Sequence, residues 1–318
     1  MNRRAINFVQ IGTLLILVLA LAYLGWVGYG ALPDPSPTPE PVLVFDGNAA
    51  LALAETQCDF GPRPTGSSAG WDTGDWIIAH LEEAGWEVET DEFVWNGAPV
   101  RNIIARAGEG APILVGAHYD TRLIADQDPD PTLRNVPVLG GNDGASGVAV
   151  LLELIRVLDT EELTNQVWLT FFDAEDNGRI EGWDWALGST HLAENLQELP
   201  AAMILVDMVG DAEQLIPYEN NSNPLLREQL WSLADELGYG DVFVPESGAA
   251  ITDDHLAFIQ NGVPAVDIID FDYPYWHTTS DTCEKLSPDS LERVGRLLEV
   301  YLEQGHLQEI LPKLQGQE

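Results

Sequence analysis

The chain has 318 residues, with 14 basic against 52 acidic side chains and a formal net charge of -38. A field that negative repels phosphate, which argues against nucleic-acid partners and favours cations or ligands with a free amino group. Its two cysteines, Cys58 and Cys283, are compatible with one disulfide or with two buried thiols.

Residues 1–31 are not globular in pattern. Arg3 and Arg4 precede an apolar run from about Phe8 to Ala31, broken mainly by Gln10 and Thr13, and about 20 such residues cross the hydrocarbon of a bilayer. The paired arginines favour a cytoplasmic N-terminus and place the remainder outside the membrane. The run exceeds a usual signal core, so it is read as an uncleaved transmembrane anchor. Secretion after cleavage near Tyr29–Ala31 is the alternative. Residues 32–44 contain PDPSPTPEP, a polyproline II spacer too stiff and polar to pack a core. The rest, 45–318, is expected to form one domain.

In that domain Gly47 to Gln57 reads as a helix, and Ser67 or Ser68 caps a second one that Gly85 stops. WEVETDEFVW and VRNIIARA alternate apolar with polar, the period of half-buried strands. ILVGAH, VWLTFF, AMILVDM and VPAVDIID are continuous apolar runs, as in strands covered on both faces. Helices over Gly144–Leu158, around His191–Leu196, over Pro224–Leu237 and over Pro288–Leu302 separate them. The alternation predicts an α/β fold: a mostly parallel mixed sheet with helices on both faces. Such sheets bind ligands beyond the carboxyl ends of their strands.

Chemistry-bearing residues collect at those ends. ILVGAHYD carries His118 and Asp120, GGNDGASG carries Asp143, VWLTFFDAED carries Glu175 and Asp176, MILVDMVGD carries Asp207, and YPYWHTTSD carries His277. Imidazole nitrogen and carboxylate oxygen are zinc ligands, and an apolar strand seldom ends in a buried acid for packing alone. GGNDGASG lacks the lysine of a phosphate loop. Asp126, Asp128 and Asp130 lack the glycine and closing glutamate of a calcium loop, so they are read as a solvated acidic loop. His80, His191 and His306 are read as ordinary helix residues.

In this combination, from CDFGPRPTGS to the C-terminal helix, the chain resembles the zinc exopeptidase superfamily, metallopeptidase clan MH, which includes bacterial leucyl aminopeptidases and glutaminyl-peptide cyclotransferases. The resemblance implies one or two zinc ions, with Asp143 bridging two positions, Asp176 and His277 completing one, and His118 and Asp207 the other. It implies Asp120 as the acid orienting a ligand imidazole, Glu175 as general acid and base, and His255 as a supporting residue. The family commonly has two glutamates where this chain has Glu175 and Asp176. Trp276 directly before His277, the segment AEDNGRIEGWDWALGSTHLA and the segment TDDHLAFIQNGVPAVDI resemble the cyclase branch. They imply Trp276 and Trp183 as pocket walls, with Trp183 the better match and Trp185 the weaker, and Asp253 as the acidic partner of Glu175. The expected activity is conversion of N-terminal glutamine to pyroglutamate with ammonia release, acting on peptide or protein N-termini. An aminopeptidase of the same fold is the alternative, and a non-catalytic binding ectodomain the reading from another class.

Overall fold

In a computed structural model, residues 3–30 and 44–316 are described, with the first helix described to its side chains over residues 10–23. The chain divides into two compact units, Met1–Val42 and Leu43–Glu318. The first contains helix α1 (Arg3–Gly30). Among the described residues, no helix is long and apolar enough to cross a membrane, so the anchor expected over 1–31 finds no support there. The proline spacer expected over 32–44 lies outside the described residues, apart from Val44.

The second unit runs α2 (Gly47–Asp59), α3 (Ser68–Glu83), β1 (Glu87–Trp95), β2 (Ala98–Ala107), β3 (Pro112–His118), α4 (Ser146–Val157), β4 (Gln166–Phe172), α5 (Leu187–Asn195) and β5 (Ala202–Asp207). It continues through β6 (Ile216–Tyr218), α6 (Pro224–Glu236), β7 (Phe243–Ser247), α7 (Asp254–Gln260), β8 (Ala265–Ile269), α8 (Pro288–Glu303) and α9 (His306–Leu314). Capping follows ordinary chemistry: Asp46 accepts from the Asn48 and Ala49 amides, Ser67 from Gly70, and Asn223 from Leu225 and Leu226 ahead of Pro224.

Six strands form one sheet in the order β1-β2-β4-β3-β5-β8. β4, β3, β5 and β8 are parallel, while β1–β2 and β2–β4 are antiparallel. Alternate residues of the covered strands point to opposite faces. Ile113, Val115, Leu169, Phe171, Ile204 and Val206 pack with α2, α3, α4, α6 and α8 on one face. Leu114, Trp168, Phe172, Met203 and Leu205 pack with α5 and α7 on the other. The two strands read as half-buried diverge: β1 is a largely exposed edge, whereas β2 is buried from Val100 to Ala105. The short parallel pair β6–β7 carries no legible period, since three to five residues hold too few alternations.

This topology sends β3, β4, β5 and β8 out at one edge of the sheet. The loops there are held tightly. Cys58 on α2 and Cys283 are joined by a disulfide that closes a separation of 225 residues. A Cβ on Gly141 would overlap the Thr282 and Cys283 backbone, so only glycine lets the loop before α4 run against the segment carrying His277.

Candidate metal centre and cavity

His118 ends β3 and Asp207 ends β5; Asp143 sits in the loop before α4, Glu175 and Asp176 in the turn after β4, and His277 in the segment after β8. His118 Nε2 lies 3.2 Å from Asp143 Oδ1 and 3.1 Å from Asp207 Oδ1. His277 Nε2 lies 2.9 Å from Asp176 Oδ1 and 3.6 Å from Asp143 Oδ2. Asp143 therefore offers one oxygen to each of two buried triads, His118–Asp143–Asp207 and Asp143–Asp176–His277, with the donor atoms of each triad within 4.8 Å of one another. All five residues matched to metal positions come together.

The donor set fits a divalent cation. Asp143 Oδ2, Asp176 Oδ2 and both His277 ring nitrogens are buried without hydrogen-bond partners, and buried polar groups are rarely left so. His277 Nε2 and Asp176 Oδ1 are close but not aligned as donor and acceptor. His118 Nε2 and Asp207 Oδ1 do pair at 3.1 Å, but the Asp143–Asp176–His277 donors converge without bonding one another, as imidazole and carboxylate ligands of a divalent cation do. The charges agree. Burial, with Asp143 beside it, pushes the Asp176 carboxyl up to about 6, and burial also raises Asp207. Burial pushes Asp143 the same way, but the His118 and His277 rings outweigh it and hold that carboxyl below its usual range. A cation between such carboxylates would favour their ionised forms.

The residues around the donors are only partly those expected. Asp120 does not chiefly orient the His118 ring through its carboxylate, which lies 3.6 Å from Nδ1; its main-chain oxygen is nearer, at 3.2 Å. The carboxylate instead accepts the Glu175 and Asp176 amides at 3.1 and 3.3 Å, clasping the turn that presents both acids. Asp126 faces His277 Nδ1 at 3.5 Å and is held by Arg122 at 2.8 and 3.0 Å. The acidic loop is solvated only in part: Asp130 is exposed, whereas Asp128 is buried and accepts from the Thr279 amide and hydroxyl at 3.0 and 2.6 Å, two residues beyond His277. Asp281 accepts the Asn142 and Asp143 amides at 2.8 and 3.2 Å and the Tyr273 hydroxyl at 2.8 Å. Arg122 carries no pattern in the sequence, Asp126 stood out only as part of an acidic loop and Asp281 only as the end of YPYWHTTSD; their roles arise from contacts across the chain. Ala174, Met208 and His277, each at or next to a site residue, have φ of 61, 46 and 56°. Side chains rarely adopt this conformation, and such strain collects where geometry is set by function.

A cavity of about 400 Å³ opens onto these residues, with Glu175, Asp253, Trp185, Met208, Phe271 and Trp276 in its wall. Trp276 stacks on the His277 ring with centroids 3.6 Å apart, and Trp185 stacks on it at 5.8 Å. Trp183 does not line the cavity. It packs on the cluster of Val100, Ala174 and Leu187, and the second tryptophan wall is Trp185, under the Arg122 guanidinium at 5.0 Å. Burial, then the charge of Asp253, raises the Glu175 carboxyl well above its ordinary range. Burial and Asp207 raise Asp253 to about 7. His255 stands apart from both triads and from the cavity wall. Fully buried, it sets Nε2 3.3 Å from Glu219 and Nδ1 3.6 Å from Asp267, in a cluster that includes Asp253 of the cavity wall.

Comparison with known proteins agrees with this geometry. The model of Peptidase family M28 matches residues 102–302. The chain is 27% identical over 281 residues to the glutaminyl-peptide cyclotransferase-like protein of Mus musculus, covering 76% of this chain and 71% of that one. Its fold superposes on the glutaminyl cyclase of Bacteroides thetaiotaomicron bound to N-acetylhistamine, with a TM-score of 0.77, 32% identity, and 81% of this chain and 98% of that one covered. It superposes equally on a leucine aminopeptidase precursor from the same organism, at 0.78 and 32%, covering 83% and 98%.

Proposed function

The chain belongs to Peptidase family M28, and from that premise we propose a zinc-dependent enzyme acting on peptide N-termini, which cyclises N-terminal glutamine to pyroglutamate with release of ammonia. The observation that carries this reading is the cavity between Trp185 and Trp276, whose end wall holds Glu175 beside the Asp143–Asp176–His277 triad. The indoles of Trp185 and Trp276, with Met208, Ile251, Ile269 and Phe271, give this otherwise acidic cavity an apolar part that would take the methylenes of a glutamine side chain.

Asp143, Asp176 and His277 would hold one zinc, and His118 and Asp207 with Asp143 a second. Bound zinc supplies a Lewis acid for the γ-amide carbonyl. The work of this chain's own residues is positional and acid–base. Glu175, ionised, takes a proton from the N-terminal amine as its nitrogen forms a bond to the γ-carbonyl carbon. The carbon–nitrogen bond to the amide breaks, and Glu175 returns the proton to the departing ammonia. A carboxyl raised by burial and by Asp253 suits that second half, because a more basic carboxylate takes and gives protons nearer neutral pH. Trp185 and Trp276 hold the amine against the carbonyl and keep water from competing.

The second reading, an aminopeptidase, is favoured by one observation: the triad His118–Asp143–Asp207 is complete and shares Asp143 with the first. Glu175 would then take its proton from a water attacking the first peptide bond. A peptide beginning with glutamine, assayed beside one beginning with leucine, separates the two. Ammonia release without chain shortening is the expected result, and loss of the leucine would transfer the assignment to the peptidase.

We also place the catalytic unit outside the cytoplasm, tethered by the N-terminal segment or released by its cleavage. Support comes from Arg3 and Arg4 ahead of the apolar run, and from the Cys58–Cys283 disulfide, a bond that persists in oxidising compartments.

A further inference from the structure

The cavity is electrically lopsided. Asp143, Glu175, Asp176, Asp207 and Asp253 line it, against a single guanidinium, that of Arg179. Arg179 is exposed where the acids are buried, so the positive charge belongs to the outer part of the wall and the negative charges to the inner. Among the described residues Arg179 has no hydrogen bond and no ion pair, although the chain carries 52 acidic residues. The buried Arg122 nearby, by contrast, is fully engaged by Asp126, Asp176 and Gly178. The Arg179 backbone also has φ of 63°, a conformation that any residue with a Cβ adopts at a cost, in a turn where the Ile180 amide donates to the Asn177 carbonyl. Arg179 thus stands exposed on the rim of the cavity without a partner among the described residues.

We propose that Arg179 is a specificity-determining residue that binds a carboxylate on the second residue of the substrate peptide. This rests on the reading that the cavity takes peptide N-termini. A ligand whose ammonium enters the acidic end places its second residue one peptide unit outward, toward the guanidinium, and Arg pairs with carboxylates through a planar fork. The carboxylate has two sources, an acidic side chain or the free C-terminus of a dipeptide.

The test uses the full chain and the peptides Gln-Ala-amide, Gln-Glu-amide, Gln-Lys-amide and unamidated Gln-Ala. The wild type should favour Gln-Glu-amide over Gln-Ala-amide by roughly threefold to fivefold in kcat/KM, the size of a partly exposed ion pair. This would run against the protein's net negative charge, which repels acidic ligands. A matching gain for unamidated Gln-Ala identifies the C-terminal carboxylate as a second source; its absence confines the site to side chains. Arg179→Ala should bring the Glu-to-Ala ratio to about one, and Arg179→Glu should favour Gln-Lys-amide. Turnover of all four peptides with ratios unmoved by either variant overturns the proposal alone. Turnover of none overturns the glutamine-cyclising reading, and the proposal with it.

Discussion

Glu175 is the side chain on which both enzymatic readings converge, because each needs one acid that moves a proton without holding the metal. It is buried, raised by its surroundings, and absent from either triad of donors. Glu175→Gln should leave the zinc content unchanged, measured by elemental analysis, and lower turnover by about 10²- to 10⁴-fold; near-normal turnover would remove it from this role. Asp176 is shorter than the glutamate common in the family, yet its Oδ1 reaches to 2.9 Å from His277 Nε2. The turn that presents it is fixed by a positive φ at Ala174 and by Asp120, which accepts both following amides. The tryptophans show where residue-level reading fails. Trp183 and Trp185 are two apart in the same segment, and only the path of the chain after β4 decides which faces the cavity. Trp185→Ala should therefore depress activity on glutamine peptides chiefly through KM and kcat together, whereas Trp183→Ala should act on thermal stability; equal activity losses in the two would contradict this division.

At the scale of elements, the segment after β8 is the part most dependent on distant support. It carries Trp276 and His277, and it is held by Asp126 and Asp128 from the acidic loop, by Asp281 against the Asp143 loop, and by Cys283 against α2. The disulfide links positions 225 residues apart, and cross-links of that kind contribute roughly 2–5 kcal/mol, mainly by restricting the unfolded chain. Replacing both cysteines with serine should lower the free energy of unfolding in denaturant by that amount and loosen zinc binding, since His277 lies six positions before Cys283. Unchanged stability would show that the surrounding hydrogen bonds suffice. The strands of the main sheet and the longer helices were legible, because continuous apolar runs and amphipathic stretches are local properties, whereas β6, β7 and the short α7 were not. What β1 and β2 would do was not, because exposure depends on which strand takes the edge.

For the whole molecule, the distribution of acid is the governing feature. Glu219, buried behind the site, accepts from the Asn221, Ser222 and Ile251 amides and lies beside His255. Burial would raise it, but the His255 ring and those amides pull its carboxyl down to about 2. A depressed carboxylate contributes stability that is fully present above the unfolded value near 4.5 and is lost as pH falls toward 2. The difference in melting temperature between the wild type and Glu219→Gln should hence be steady above about pH 5 and shrink below it; a difference that widens in acid would reverse the sign. The sequence by itself determined the α/β architecture, because hydrophobic period is written locally, and through its resemblance to a known family it pointed to His118, Asp143, Asp176, Asp207, His277 and Glu175, the first five of which the structure gathers into two triads. Only the tertiary structure decided that Cys58 meets Cys283, that Trp185 and not Trp183 walls the cavity, and that Asp126, Arg122 and Asp281 hold the donors in place. Those are encounters between segments far apart in the chain, and no local pattern records them until the parallel sheet brings its strand ends to one edge.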